Sequence, residues 1–338
     1  MPTLPLGKVP PDILEKHVFP FLGVEDASIL HGPGIGRDAA LIRVGQQVVA
    51  ASTDPITGAT QNIGAYVVHV CANDVATFGI RPRWFLTTIL LPEDSEVNQL
   101  EHIMASMHSA AKELNISIIG GHTEVTPELK RVIIIGFMMG LAEQDQYVTS
   151  TQAQPGNAIV LTKGVAIEGT AILATERATF LQQKLGASLV DRAQEFINKI
   201  SVVPEALIAM STGAVRAMHD PTEGGVSNGL HELADASGLG FIVDRSKIFI
   251  QQETQQICQV FDINPLDLIA SGAMLMAVEE KQAPQLLEAL RRENITATII
   301  GRFVDNQSQR TIIDFDGSIK KLKQPTEDAL WKALQKSR

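Results

Sequence analysis

The sequence predicts a two-domain α/β protein. Three observations carry this reading. The chain has 338 residues, more than one ordinary hydrophobic core accommodates. Apolar runs of strand length alternate with amphipathic helical periods through both halves. A polar stretch containing Pro155–Gly156, "AEQDQYVTSTQAQPGNA", divides the halves. The expected domains are residues 1–150 and 156–338.

In the first half, "ALIRV" and "QVVAAS" predict a hairpin across Gly45–Gln46. A helix over 62–78 follows from the stripe Val67, Val70, Cys71, Val75 and Phe78, with Gly79 and Pro82 as stops. "WFLTTILLP" reads as a strand and "EVNQLEHIMASMHSAAKEL" as an amphipathic helix. "ISIIGG" and "VIIIGFMMG" are two more strands. Their continuous apolar character predicts that both sheet faces are covered. The second half opens with the strand "IVLTKG" and moves into helices over 168–185, 188–199 and 204–217. Strands return at "GFIVDR", "GAMLMAV", "TATIIGRF" and "RTIIDFD". "APQLLEALRREN" is an intervening helix, and "TEDALWKALQKS" a final one.

The formal net charge of −10 argues against a nucleic-acid backbone or an anionic membrane surface as partner. Anionic phosphates stay accessible where metal ions mediate the contact. Two cysteines, Cys71 and Cys258, give neither a disulfide framework nor a zinc motif and suit a reducing cytosol. No signal-peptide core opens the chain, and "VIIIGFMMGLA" is only half the roughly 20 residues a membrane span needs. A cytoplasmic location is therefore expected.

The informative acidic residues stand beside glycines or at strand ends. Asp38 precedes a strand in "GPGIGRDAA", and Asp54 follows one in "ASTDPITGA". Glu124 lies in "GGHTEVT" and Asp220 in "MHDPTEGG". Such turns commonly build sites, although an Asp there is more often a cap or an Asx-turn. Asp74 differs, because it sits inside the apolar helix, where a carboxylate is expensive without a partner. Together they suggest a magnesium–phosphate site, since magnesium takes oxygen ligands and shares them with phosphate.

"GPGIG" reads as a phosphate nest or a flexible arm, and "GGHTE" as a close-approach loop or a strand-end turn. "DPTEGGVSNGLHELADAS" is a turn entering a helix, whose N-terminus favours anions or is simply capped by Asp220 or Thr222. No P-loop or dinucleotide fingerprint occurs. His122 is catalytic or structural, Lys8 is solvated or folds over a phosphate, and both cysteines read as core thiols.

Taken in order, "GRDAALI", "STDPITGA", "HVCANDVATFGIRPRW", "IIGGHTEVT", "QPGNAIVLTKGVAIEGTAIL" and "MHDPTEGGVSNGLHELADASGLG" resemble the aminoimidazole-ribonucleotide-synthetase-like superfamily, nearest its hydrogenase-maturation-factor branch. The resemblance implies a homodimer whose N-terminal sheets pair into a barrel, with ATP held through magnesium under a glycine-rich arm. It assigns Asp38, Asp54, Asp74, Asp220 and Glu124 to metal or phosphate. The nucleotide set it implies is Lys8, Asn73, Gly120, Gly121, His122, Thr123, Thr222, Gly224 and Gly225. His122 and Lys8 are the catalytic candidates, and His122 stands where the kinases and the maturation factors of the family carry aspartate. The implied activity is ATP-dependent activation or phosphorylation of a small-molecule acceptor, with a protein partner as a further expectation. A kinase resembling thiamine-monophosphate kinase and a nucleotide-binding scaffold are the alternatives. The branch's carbamoyl dehydratase works through a cysteine at its extreme C-terminus. The last cysteine here is Cys258, so that route is not expected.

Overall fold

The structure, a computed structural model, describes residue 4 and residues 7–57 and 61–335. The N-terminal half contains α1 (Pro11–His17), β1 (Ile29–His31), β2 (Ala40–Val44), β3 (Gln47–Ile56), α2 (Ile63–Ala76) and β4 (Pro82–Leu91). It continues through α3 (Val97–Glu113), β5 (Ser117–Val125) and β6 (Ile133–Glu143). The second half begins with β7 (Ala158–Thr162), α4 (Ile167–Glu176), α5 (Ala178–Leu185), α6 (Ala187–Gln194), α7 (Val203–Thr212) and β8 (Val215–His219). Then come α8 (Gly225–Ala236), β9 (Gly240–Asp244), α9 (Gln252–Phe261), β10 (Leu275–Val278), α10 (Ala283–Arg292) and β11 (Ala297–Val304). β12 (Arg310–Ile313), β13 (Ile319–Lys321) and α11 (Ala329–Gln335) complete it.

The fold is mixed α/β in two sheets. The first has six strands in the order β1-β2-β3-β6-β4-β5, and the second seven in the order β13-β12-β9-β11-β7-β10-β8. The expected hairpin forms, with Val44 opposite Gln47. β3 then runs the length of β6, from Gln47 opposite Glu143 to Ile56 opposite Ile134. Asp54 therefore lies within the strand, opposite Gly136, and not after it. "GGHTE" is likewise no turn. It is the body of β5, paired in parallel with β4 from Gly120 to Glu124. Gly121 is needed there because a Cβ would run into the Thr87 carbonyl of β4.

Four other expectations change. Residues of β4 and β6 alternate between buried and half-buried, and β5 is almost wholly exposed. The protomer thus covers one face of this sheet, beneath α2 and α3, and leaves the other open. The helix expected over 204–217 stops at Thr212, because Gly213 turns left-handed at φ 68° and releases Val215–His219 as a strand. The 168–185 helix divides at Arg177, and the 188–199 helix tightens to a 3₁₀ turn after Gln194. The last residues of the expected final helix, beyond 335, lie outside the described residues.

α2 joins the two halves. All of its residues from Tyr66 to Ala76 are buried. Its Asn73 amide donates from Nδ2 to the Ile200 carbonyl at 2.9 Å and accepts from the Val202 N–H at 2.8 Å. Both ends of the amide are therefore committed to the second half.

Candidate active site

Asp74 is 5 % exposed and accepts a hydrogen bond from the Ser52 hydroxyl. Ser52 and Asp54 are two apart on β3, so both project to the face that α2 covers. Burial raises the Asp74 carboxyl well above its ordinary range, and the negative fields of Asp54, Asp220 and Asp38 push it further. The carboxylate inside the apolar helix faces other carboxylates.

Asp220 comes from the other sheet, immediately after β8, and is 1 % exposed. Neither of its oxygens has a hydrogen-bond partner. Burial raises it strongly, and Asp38 adds to the effect. Asp38, which enters β2 after "GPGIG", lies with His219 and Asp220 so that one ligand atom from each falls within 4.8 Å of the others. Gly36 lets this loop approach α8. Its φ is +68°, and a Cβ would stand 2.6 Å from the Glu232 carbonyl.

His219 is held at both nitrogens, Nδ1 to Asp38 at 3.0 Å and Nε2 to Glu232 at 3.0 Å. Burial alone would lower its pKa, but Asp38 and Glu232 raise it well above the ordinary value. With a carboxylate facing each nitrogen, the ring can donate on both sides, as a protonated imidazole does. Burial opposes ionisation of Glu232, yet His219 and Lys8 hold it down to about 2.

Lys8 is an exposed residue, and its ammonium donates to the Thr222 hydroxyl at 2.9 Å. Its backbone N–H donates to Glu223 at 2.9 Å. Burial of the ammonium would lower its pKa, but Glu232, Asp54, Glu223 and Asp38 raise it overall, so it stays charged. Left-handed Gly224 and Gly225 form the turn into α8, and the Gly224 N–H donates to Asp328 at 2.6 Å. A cavity of about 530 Å³ opens here, lined by Lys8, residues 34–36 of the "GPGIG" loop, Glu223, Asn228 and Trp331.

The structure therefore brings together Lys8, Asp38, Asp54, Asp74, Asp220, Thr222, Gly224 and Gly225. It does not bring Gly120, Gly121, His122, Thr123 or Glu124 to them within one protomer. Asp54, Gly136, Thr87 and Gly121 form one row across β3, β6, β4 and β5. Three strand spacings, about 14 Å, separate the ends of that row. His122 is exposed and pairs with Glu124 at 2.9 Å. Asn73 is placed differently from the expected nucleotide set, because its amide is spent on the joint between the halves. Sequence reasoning passed over Ser52, His219, Glu223 and Glu232. The i, i+2 spacing of Ser52 and Asp54 and the adjacency of His219 to Asp220 were the signals available.

Two α/β domains meeting over buried carboxylates, with a lysine-bearing arm above them, define a two-domain synthetase-type subunit. The chain belongs to the AIR synthase-related family. The model of that family's N-terminal domain matches residues 36–142, and that of its C-terminal domain residues 154–314. Within the family it resembles the hydrogenase-maturation branch. It is 28 % identical to a putative hydrogenase expression/formation protein of Methanocaldococcus jannaschii, over 87 % of this chain and 88 % of that one. It is 26 % identical to the carbamoyl dehydratase HypE of Rhodobacter capsulatus, over 88 % and 86 %. The fold matches HypE in a HypE–HypF complex with a TM-score of 0.75, at 22 % identity over 93 % of this chain and 99 % of that one. It matches HypE in complex with ATP at 0.72, with 21 % identity over 94 % and 95 %.

Proposed function

We propose that the protein is a magnesium-dependent, ATP-using enzyme of the hydrogenase-maturation type, activating or phosphorylating a small-molecule acceptor. The observation that carries this is Asp220, whose two oxygens are buried without a partner among Asp38, Asp54 and Asp74. Converging carboxylates that raise one another's pKa need a cation, and an all-oxygen set fits magnesium. His219 is no competing ligand, since both its nitrogens are engaged. The relatives described as carbamoyl dehydratases and the ATP-bound HypE structure support the same reading.

Asp54, Asp74 and Asp220 would hold magnesium, which supplies charge neutralisation at the phosphate oxygens. Lys8 carries its positive charge over the turn at Thr222 and can meet a phosphate there. The start of α8 offers backbone N–H groups to an anion. The His219 ring fixes the carboxyl groups of Asp38 and Glu232. Positioning and charge neutralisation are the main demands of phosphoryl transfer.

Gly120, Gly121, His122, Thr123 and Glu124 enter this reading through a second copy of the chain. They lie on the exposed edge strand of a half-open sheet, the surface that a homodimer would cover. A protein partner is proposed by analogy with the HypE–HypF complex. Among the described residues no helix is long and apolar enough to cross a membrane, and we place the enzyme in the cytoplasm.

The test is thermal unfolding with ATP and magnesium, each alone and together. A stabilisation by ATP that requires magnesium is expected. Equal stabilisation with and without the metal would refute the magnesium site, and none with either would refute nucleotide binding.

A further inference from the structure

The lysine that follows β7 has no part in the nucleotide reading. The Lys163 ammonium donates to the Ser201 carbonyl at 2.6 Å and pairs with Glu205 at 2.5 Å. Glu205, near the start of α7, is 1 % exposed. Lys163 itself stands at φ 55°, in the left-handed region that favours glycine. A cation and a carboxylate are thus taken out of water, and the backbone is strained beside them. Such a pair is weak evidence for stability, because well-packed apolar residues of similar volume commonly serve as well. Its use lies in what it holds.

It holds the seat of α2. Ser201 stands between Ile200 and Val202, the two residues that bond Asn73. Three successive residues are therefore gripped, the outer two by Asn73 and the middle one by Lys163. The lysine charge also reaches α2 itself. Burial and Lys163 together lower His69, one turn before Asn73, to about 4. On its other side Lys163 is anchored in the second sheet. Leu161 of β7, Leu275 of β10 and His219 of β8 form one row. Lys163 comes two residues after one end of that row, and Asp220 one residue after the other. A continuous run of bonds leads from the sheet that delivers Asp220 to the helix residue that precedes Asp74.

We propose that Lys163 is a positioning residue for the metal site: through Ser201 and Asn73 it fixes α2 against the second sheet, and so sets Asp74 against Asp220. The metal role of the two carboxylates rests on the function proposed above; the fixing of α2 does not.

The test uses the full chain with Lys163→Met and Glu205→Leu combined. This replaces the ion pair by apolar side chains of similar size and should leave the unfolding temperature close to that of wild type. Hydrogen exchange without ligand, read on peptides covering 199–204, should be about tenfold faster in the variant, with α10 unchanged. Magnesium-dependent ATP affinity, measured by calorimetry, should fall about tenfold, as it does when a group supporting a metal ligand is lost. Lys163→Arg keeps the charge and a donor for Ser201, and should retain wild-type exchange and affinity. The milder pair Lys163→Gln, Glu205→Gln is neutral and one bond shorter at 163, and should act as the apolar pair does. Unchanged exchange in the paired variants would overturn the proposal whether or not ATP binds. Faster exchange with wild-type ATP affinity would overturn the positioning of Asp74. If wild type itself binds no ATP, the ATP reading fails, and exchange alone decides whether Lys163 holds α2.

Discussion

Replacing Asp220 by asparagine should stabilise the protein without ligand and abolish its response to nucleotide. The Asp220 carboxyl is buried, has no hydrogen-bond partner and faces Asp38 and Asp54. An asparagine of the same shape carries no charge, and its NH₂ can donate to those carboxylates. One hydrogen bond to a charged acceptor contributes about 2 kcal/mol. For a domain of this size that is a rise in Tm of roughly 4–8 °C. The sign with pH follows from the raised pKa. An acid whose folded pKa lies above its unfolded value contributes stability at low pH and loses it as pH rises through the folded pKa. The variant's advantage should therefore widen from acid toward neutral and alkaline pH. With magnesium and ATP the order reverses. Wild type at 100 times Kd gains about 2.7 kcal/mol, and the variant should gain almost none. Scanning calorimetry of both proteins, at several pH values, with and without ligand, makes the test. A lower Tm without ligand, together with an unchanged ligand response, would show that Asp220 is a structural carboxylate.

Asn73→Ala strands the Ile200 carbonyl and the Val202 N–H in the interior and should cost about 3 kcal/mol. Denaturant unfolding checks this, and a loss of ATP affinity at full stability would return Asn73 to the nucleotide set. The double variant Cys71→Ala, Cys258→Ala should keep magnesium-dependent phosphate release. Both thiols are buried, with burial pushing Cys258 up to about 12 and Cys71 well above its usual value, so neither supplies a thiolate. Phosphate assays on the folded variant decide, and lost turnover with intact ATP binding would implicate a thiol. The half-open first sheet should pair with a second copy at micromolar concentration, measured by light scattering. A stable monomer with full nucleotide affinity would defeat that arrangement.

The sequence by itself determined the element types. Apolar periodicity marked the β2–β3 hairpin, α2, α3 and the central strands, because the period of buried side chains differs between helix and strand. It marked the carboxylates too, since Asp74 inside an apolar stripe is costly wherever the chain folds. Where an element ended was less legible. β3 carries Asp54 in its interior because β6 is long enough to pair with it, and that length is a property of the partner strand. β5 swallowed "GGHTE" for the same reason, through β4.

What Asp74 faces was decided only by tertiary structure. Asp220 and His219 lie more than a hundred residues away in the second sheet, and burial beside Asp38 is what removes their solvent and shifts their protons. The same holds for Asn73. It is the neighbour of Asp74 in sequence, but it points about 100° further round the helix and meets the backbone at 200–202 instead of the acidic cluster. Adjacent residues of a helix face different surroundings, and only the packing of the second domain against α2 assigned one to the joint and the other to the site.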